Sequence, residues 1–360
     1  MEAVLEYKCP ACGGGMSFDS SLQKVKCPYC DTEYEMETLK ELDEALQEDQ
    51  EELSWEPASG TQWKEGEEEG LRRYICQSCG GEIITDATTA ASACPYCDNP
   101  VIMAEHLSGS LRPDCLIPFK LDKKAAEAAL KKHLAGKLLL PKVFKDENHI
   151  REIKGIYVPF WLYDAQVDAD FHYRATRLRH WSDSNYAYTE TTHFSVRRGG
   201  ELRFSGVPVD GSAKMEDALM ESIEPYDLSE AVDFQTAYLA GYFADRYDVA
   251  AEQSQERANE RIRQSTRDAF LQTVHGYASV MPQGSNIRLS SGKIRYALLP
   301  VWVLNTQYRG ENYIFAMNGQ TGRFVGNLPV DKAAYWKWWA LAAAAVSALS
   351  FGIGWLAGLL

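Results

Sequence analysis

Alternation of apolar and polar residues predicts strands near the middle of the chain. Val167, Ala169, Phe171 and Tyr173 alternate with polar or charged residues, which is the period-two pattern of a half-buried strand. Residues 156–163, just before them, form a run of apolar residues that also has the signature of a strand. This region is therefore predicted to be rich in β-structure.

Two hairpins are predicted where glycines separate apolar runs. One would turn at residues 199–200, two adjacent glycines, and the other at residues 318–319, an Asn-Gly pair between residues 313–317 and 324–325. Glycine and asparagine tolerate the positive φ angles that tight hairpin turns require. Both hairpins are expected to be antiparallel.

Helical signals occur between these strands. Asp122 is placed to cap a helix over residues 123–134, which Gly136 would close, and further helices are predicted over residues 217–223 and 231–274, the last in two pieces. Residues 111–330 are therefore predicted to form a mixed α+β domain with antiparallel sheet. Residues 153–166 resemble residues 294–307 at four identical positions, so an internal duplication and a chance match both remain open.

The end of the chain has the pattern of a transmembrane helix. Residues 338–360 contain no charge, a helical length of about 34 Å, and aromatic residues cluster at the start of this run. Lysines precede it and no residue follows Leu360, so the positive-inside rule predicts a tail-anchored protein. The expected location is the cell membrane, with a single pass at residues 336–360 and cytoplasmic N-terminal domains. Small residues within this span favour a homo-oligomer.

Eight of the nine cysteines form two quartets with the same internal spacing. Each quartet consists of two Cys-x-x-Cys pairs separated by fourteen residues, which suits a tetrahedral Zn²⁺ site with four thiolates. The predicted ligands are Cys9, Cys12, Cys27 and Cys30 for one ion, and Cys76, Cys79, Cys94 and Cys97 for the other. Residues 7–34 and 74–101 share eleven of 28 positions, which indicates one module used twice.

The two ions are predicted to be structural. A module this small lacks the apolar core to fold alone, and zinc binding would supply stability on the order of 10 kcal/mol. Four thiolates leave no open coordination position, so neither site is expected to be catalytic. Disulfides, which need an oxidising compartment, and a redox Cys-x-x-Cys are the alternatives.

Negative charge is concentrated between the two modules. Residues 35–70 carry fourteen acidic residues and two lysines, so this segment holds −12 of the net charge of −14. It is predicted to be a solvated linker, partly helical. Trp55 and Trp63 lie within it, and they are expected to dock on a folded part of the protein.

The sequence lacks the local motifs of an enzyme. It has no phosphate-binding loop, no nucleophile elbow and no dinucleotide fingerprint, and its seven histidines form no metal-binding helix pair. Cys115, the cysteine outside the quartets, lies in an apolar extended segment that suits a buried, inert thiol. The sequence therefore predicts no catalytic residue and no cofactor other than zinc.

Charge argues against a nucleic-acid ligand. The first module balances three lysines with three acidic residues, whereas the second has three acidic residues and no base, and each tetrathiolate zinc centre adds about −2. Arginines occur on two predicted strands, and they would either form one basic face or pair with nearby acids. These are Arg174, Arg177, Arg179, Arg197, Arg198 and Arg203.

The sum of these segments resembles a family of uncharacterised bacterial proteins. The similarity lies in the CPAC and CPYC knuckles, YICQSCG, LRPDCLIPF, YVPFWLYDA, VPVDGSAKMED, YLAGYFADRYDV, YALLPVWVL and MNGQTGRFVG, and it covers nearly the whole chain. Members are sometimes labelled as TFIIB-type zinc-ribbon or replication-restart helicase-like proteins. The resemblance implies a double zinc ribbon, an α+β domain and a membrane anchor, without an activity.

The sequence therefore predicts a non-enzymatic, membrane-anchored adaptor or scaffold that binds a protein partner at the inner membrane face. A nucleic-acid-associated ribbon protein and an enzyme whose site no local motif reveals are the alternatives. The predicted organisation is zinc ribbon 1 (1–34), acidic linker (35–70), zinc ribbon 2 (71–101), α+β domain (111–330) and transmembrane helix (336–360).

Overall fold

The chain divides into two compact units. The computed structural model describes residues 9–10, 16–21, 23–29, 31–39, 55–56, 62–63, 67–68, 70–104 and 111–358. Unit 1 comprises Met1–Ala58, Leu162–Val207 and Gln255–Ile294. Unit 2 comprises Ser59–Trp161, Pro208–Ser254 and Arg295–Leu360.

Strands dominate both units. A small antiparallel sheet contains β1 (Ser17–Asp19), β2 (Lys24–Lys26) and β3 (Glu33–Tyr34). The other strands are β4 (Leu71–Cys76), β5 (Glu82–Asp86), β6 (Val101–Ala104), β7 (Cys115–Leu116), β8 (Lys154–Ser182), β9 (Ala187–Asp210), β10 (Val232–Asp233), β11 (Phe243–Asp245), β12 (Ser279–Tyr308), β13 (Glu311–Asn318) and β14 (Phe324–Gly326).

These eleven described strands form one mixed sheet, with the order β10-β7-β12-β8-β11-β5-β4-β6, while β9 pairs with β8 and β13 pairs with β12 and β14. Strand β11 is parallel to β8, and β12 is parallel to β7. The predicted fold class, an α+β domain with antiparallel sheet beside separate small ribbons, is therefore wrong. The physical reason is that β11 pairs with β5, so the strands of the second ribbon satisfy their backbone groups within the large sheet.

Helices are few in the described residues. Besides a helical turn at residues 36–39, they are α1 (Lys123–Leu134), α2 (Glu147–Ile150), α3 (Asp217–Ser222), α4 (Ala251–Leu271) and α5 (Lys332–Ala357). The predicted bounds and cap of α1 are confirmed, because the Asp122 carboxylate accepts a hydrogen bond from the Ala125 amide at 2.8 Å. Gly136, just beyond the helix, has the positive φ of 73° expected after a helix end.

One predicted hairpin and half of one predicted helix are wrong. Residues 199–200 lie inside β9, with no turn there. Gly199 instead makes room for the Asp170 carboxylate, since a Cβ on Gly199 would lie 3.2 Å from its Oδ2. In the range 231–274 only α4 is a long helix, because β10 and β11 pair with β7 and with β5 and β8. The hairpin at residues 318–319 is confirmed by the pairing of β13 with β14.

Each unit has its own apolar core. In unit 1, the side chains that alternate along β8 pack with Ile262 and Phe270 of α4, as the period-two pattern predicted. In unit 2, Leu130 of α1 packs with Trp302 of β12 and Phe315 of β13. The run over residues 156–163 is almost wholly buried, which fits a strand with β11 and β12 as its neighbours.

The expected transmembrane helix is not supported. Helix α5 exists, but among the described residues no helix is both long and apolar enough to cross a membrane. Its first turns contain Lys332, Lys337 and several aromatic residues, and alanines with little apolar surface occupy much of its middle. The predictions of a C-terminal anchor and of a single-pass location in the cell membrane are therefore wrong.

The acidic linker docks through its tryptophans, as expected. Trp55 packs in unit 1 against Tyr163, with ring centroids 4.9 Å apart. Trp63 packs in unit 2 against Phe234 in an edge-to-face contact, with ring centroids 5.7 Å apart. The predicted helical part of the linker begins with a helical turn at residues 36–39, and most of residues 40–69 lies outside the described residues.

Candidate metal centre

The four cysteines of the second quartet lie together in unit 2. Their sulfur atoms are all within 4.8 Å of one another, with Cys76 and Cys97 3.5 Å apart and Cys79 and Cys94 3.6 Å apart. A tetrahedral Zn²⁺ with bonds of about 2.3 Å would separate its sulfur ligands by about 3.8 Å. Disulfide sulfurs would lie at about 2.05 Å. The donor set therefore fits one metal ion and no disulfide.

Two similar turns position these sulfurs. In the first knuckle the Gly80 amide donates to the Cys76 carbonyl at 2.9 Å, and in the second the Asp98 amide donates to the Cys94 carbonyl at 3.0 Å. Gly80 and Asp98 both have positive φ angles, of 72° and 59°. Each backbone bond closes a tight loop and turns both thiols of a pair to the same side.

The thiols differ in their acidity before a metal binds. Burial raises the pKa of Cys94 and of Cys79. Burial opposes ionisation of Cys97, but hydrogen bonds from Asn99, Cys76 and Cys79 together lower its pKa to about 7. A metal ion bound here would hold all four groups as thiolates, so metal binding releases protons and weakens as the pH falls.

The first quartet is described only in part. Cys9 and Cys27 are both buried and lie in one apolar cluster with Met16 and Tyr34, whereas Cys12 and Cys30 lie outside the described residues. The Asp31 amide donates to the Cys27 carbonyl at 3.0 Å, and Asp31 has a φ of 56°. The second knuckle of this quartet therefore has the same turn as the one at Cys94.

A buried polar network holds the second quartet to the rest of unit 2. Tyr96, inside the Cys94 knuckle, donates to the Asp245 carboxylate of β11 at 2.6 Å, and the Ser212 hydroxyl donates to the same oxygen at 2.6 Å. Lys214 binds Asp248 at 2.5 Å and lies 3.8 Å from Asp245. Burial raises the pKa of Asp245 to about 6, against the Lys214 charge and these hydrogen bonds.

A polar cavity of about 360 Å³ opens beside this network, lined in part by Gly80, Glu82, Lys214, Arg246 and Asp248. Its charged side chains pair with one another, because Lys214 binds Asp248 at 2.5 Å and Arg246 binds Glu82 at 2.9 Å. The converging groups were not recognised in the sequence as a site. Their sequence signal was the dense run of polar and small residues at 210–217 and 245–248.

A hydrogen-bonded chain of Glu, His and Thr was also not predicted from the sequence. His149 Nδ1 lies 2.7 Å from the Glu152 carboxylate, and its Nε2 lies 2.6 Å from the Thr306 hydroxyl. The order of groups is that of a nucleophile, a base and an orienting acid. Thr306 is only 1% exposed, however, so a substrate has no access to its hydroxyl. The chain ties α2 to β12.

The arginines of β8 and β9 lie in unit 1, and most of them have local partners. Arg197 binds the Asp170 carboxylate at 2.6 Å, and Arg179 lies 3.9 Å from Glu190. Arg177 stacks over the rings of Phe194 and Tyr277. These contacts favour arginines that pair with their neighbours over one continuous basic face. Cys115 is buried in β7, as expected.

Comparison with known proteins shows similarity to a bacterial protein over nearly the whole chain. No family model matches the chain, so the resemblance to a zinc-ribbon family stays a prediction, and no solved structure matches it. The chain is 36% identical over 335 residues to "Uncharacterized protein YdjG" of Bacillus subtilis (strain 168), covering 93% of each protein. With this identity over nearly the full length of both proteins, the chain belongs to the YdjG family.

Proposed function

We propose that the protein is a non-enzymatic adaptor in which two structural Zn²⁺ ions support the ribbons and the first ribbon binds a protein partner. The observation that carries this proposal is a contrast between equivalent positions of the repeat. Tyr96 in the second ribbon is 4% exposed, whereas Tyr29 at the same place in the first ribbon is 77% exposed.

The second ribbon provides a model for how such a module docks. Its tyrosine enters the interior of unit 2 and donates to a buried carboxylate, Asp245. In the first ribbon Tyr29 is exposed, and Phe18 is also 53% exposed. Tyrosine is enriched among the residues that dominate protein interfaces, because its ring buries a large area and its hydroxyl makes a hydrogen bond.

The chemistry near the cysteines also favours a structural role. Four thiolates close the metal shell, so no coordination position remains for a substrate. The ionisable groups of the nearby cavity form pairs, Lys214 with Asp248 and Arg246 with Glu82, and Thr306 of the Glu-His-Thr chain is buried. These features support the proposal of a binding protein over that of an enzyme.

Affinity capture with the zinc-loaded full chain tests the proposal. We expect Tyr29→Ala to lose the partner, since removing a central interface tyrosine costs about 2 kcal/mol or more. The matched control is Tyr186→Ala, which removes another exposed tyrosine of unit 1 and should keep the partner. Zinc content must be the same in all three proteins. The proposal would be contradicted if Tyr29→Ala and a Cys9→Ser/Cys12→Ser variant each captured the same proteins as the native chain.

A further inference from the structure

Unit 1 contains a cavity of about 370 Å³ that is lined by residues of α4, β8 and β12. Its buried part is formed by Phe171 and Tyr173 of β8. Residues 282–285 of β12 line another side. Helix α4 contributes four residues of one face: Gln264, Arg267, Asp268 and Leu271. Sites for small molecules in proteins commonly measure about 300–1,000 Å³, so the cavity is large enough for one.

The apolar core holds the two aromatic rings of the cavity in place. The ring of Phe171 stacks on that of Tyr173, with centroids 5.9 Å apart and planes at 12°. It also contacts Phe270 of α4, at a centroid distance of 4.9 Å. All three side chains belong to the core cluster of unit 1. The shape of the cavity is therefore set by the fold.

The Tyr173 hydroxyl is a polar group in this apolar setting. Tyr173 is 2% exposed, and no described residue offers its hydroxyl a hydrogen bond. A phenylalanine would pack the same ring without burying an unpartnered hydroxyl, which lowers the stability of a fold. Burial also raises the pKa of Tyr173, so the hydroxyl keeps its proton. A ligand oxygen at the cavity would supply the acceptor that this donor lacks.

The charges of the lining favour an uncharged ligand. Arg267 and Asp268 have opposite signs, and each has its own neighbour. Arg267 lies 3.8 Å from the Glu260 carboxylate, and Asp268 accepts a hydrogen bond from the Gln264 side chain at 2.9 Å. An ion that entered the cavity would lose its hydration without gaining an uncommitted opposite charge.

We propose that this cavity binds a small, uncharged organic molecule with an apolar body and one oxygen that accepts a hydrogen bond from Tyr173. An aromatic ketone has this chemistry, because its rings would pack on Phe171 and its carbonyl would accept the hydrogen bond. The site includes no residue of either ribbon. It therefore goes beyond the proposed adaptor function and does not rest on it.

The test uses prodan, an uncharged naphthalene ketone whose fluorescence shifts to shorter wavelength when it leaves water. Titration with the zinc-loaded full chain should show saturable binding at one site, with blue-shifted emission. Tyr173→Phe keeps the ring and removes the hydroxyl, so we expect about fivefold weaker binding. The bound probe should then emit at still shorter wavelength, because its carbonyl has lost a hydrogen bond. The ligand-free variant should be at least as stable as the native chain.

Leu271→Trp tests the cavity itself. Leu271 is 42% exposed, so a larger side chain can be accommodated there, yet it would occupy part of the cavity. We expect prodan binding to weaken tenfold or more. Leu178→Trp is the matched control, because Leu178 is 45% exposed in β8 and does not line the cavity. It should bind prodan as the native chain does.

Competition with three related compounds tests the chemistry of the ligand. Methyl naphthyl ketone should displace prodan, naphthalene should do so about fivefold less well, and naphthoate should not compete. Unchanged prodan affinity in Tyr173→Phe or in Leu271→Trp would overturn the inference. A less stable Tyr173→Phe would also overturn it, because the hydroxyl would then have a structural partner. Naphthoate as the strongest competitor would overturn the assignment to an uncharged ligand.

Discussion

Single residues in unit 2 combine burial with charge or with very close packing. Asp245 is fully buried, yet it accepts hydrogen bonds from Tyr96 and Ser212 and lies near the Lys214 cation. Asp210 is also buried, and burial raises its pKa well above the usual range. Such carboxyl groups make hydrogen bonds within the fold, but burial disfavours their charged form. Their effect on stability therefore depends on pH.

Asp245→Asn should change the pH dependence of stability. The pKa of Asp245 is about 6 in the folded protein and about 3.8 when unfolded, so the native state retains a proton that the unfolded state has lost. Native stability therefore falls as the pH rises from about 4 to 6, by about 3 kcal/mol from this group. The free energy of unfolding of Asp245→Asn, measured with denaturant, should therefore rise relative to that of the native protein by about 3 kcal/mol between pH 4 and 7.

Gly319→Ala should destabilise unit 2 by about 1–3 kcal/mol, through overpacking. The added Cβ would lie 2.7 Å from the Phe119 ring and 2.9 Å from Pro300. Thermal and denaturant unfolding measure the change. Gly70→Ala is the control, because nothing lies within 4 Å of its Cβ position, and we expect it to be neutral. Equal stability of the two variants would contradict the packing described here.

At the scale of elements, local signals determined α1, whereas pairing determined β9 and β11. The Asp122 cap and Gly136 bracket α1, and both act within a few residues of the helix. The glycines at 199–200 permit a turn but do not require one, and pairing of β9 with β8 keeps the strand extended. A three-residue strand such as β11 has no local signal, because it exists only through its two neighbours.

Asp122→Ala should cost about 1 kcal/mol of stability, the usual effect of removing a helix N-cap. The variant loses the hydrogen bond to the Ala125 amide and leaves that donor without its capping acceptor. Denaturant unfolding gives the free energy, and faster hydrogen exchange in the first turn of α1 would locate it. Lys124→Ala, an exposed position in the same turn, should change neither quantity. If Lys124→Ala lost as much stability as Asp122→Ala, the effect would come from the exposed helix surface and the capping explanation would be wrong.

At the scale of the whole molecule, the four-cysteine cluster of unit 2, which could hold a metal ion, is built into the large sheet. Cys76 ends β4, and β5 follows the first knuckle and pairs with β11. Loss of the metal should therefore affect strands beyond the cysteine turns. The second ribbon therefore differs from an independent zinc module, because unfolding of an independent module would leave its neighbours unchanged.

Removal of metal with a strong chelator should raise hydrogen exchange over residues 71–104 and lower the melting temperature. The physical reason is that structural zinc contributes folding free energy on the order of 10 kcal/mol, and four unpaired thiolates cannot replace it. We expect two zinc equivalents in the native protein and one in either Cys76→Ser/Cys79→Ser or Cys9→Ser/Cys12→Ser. Elemental analysis and exchange mass spectrometry measure both. A native content well below two equivalents would contradict the expectation for the first quartet.

The sequence by itself determined those features whose signals are local: the pairing of cysteines into knuckles, the capped helix α1, the alternation along β8 and the hairpin at Asn318. It also indicated that the linker tryptophans dock, because burying a large apolar ring against protein is favoured over leaving it in water. Only the tertiary structure decided that the second ribbon joins a mixed sheet through Asp245 and β11, and that Asn259 and Gly292 form a seat for Trp55. Those contacts join residues far apart in the chain, and their energies depend on burial and distance, which no local pattern encodes.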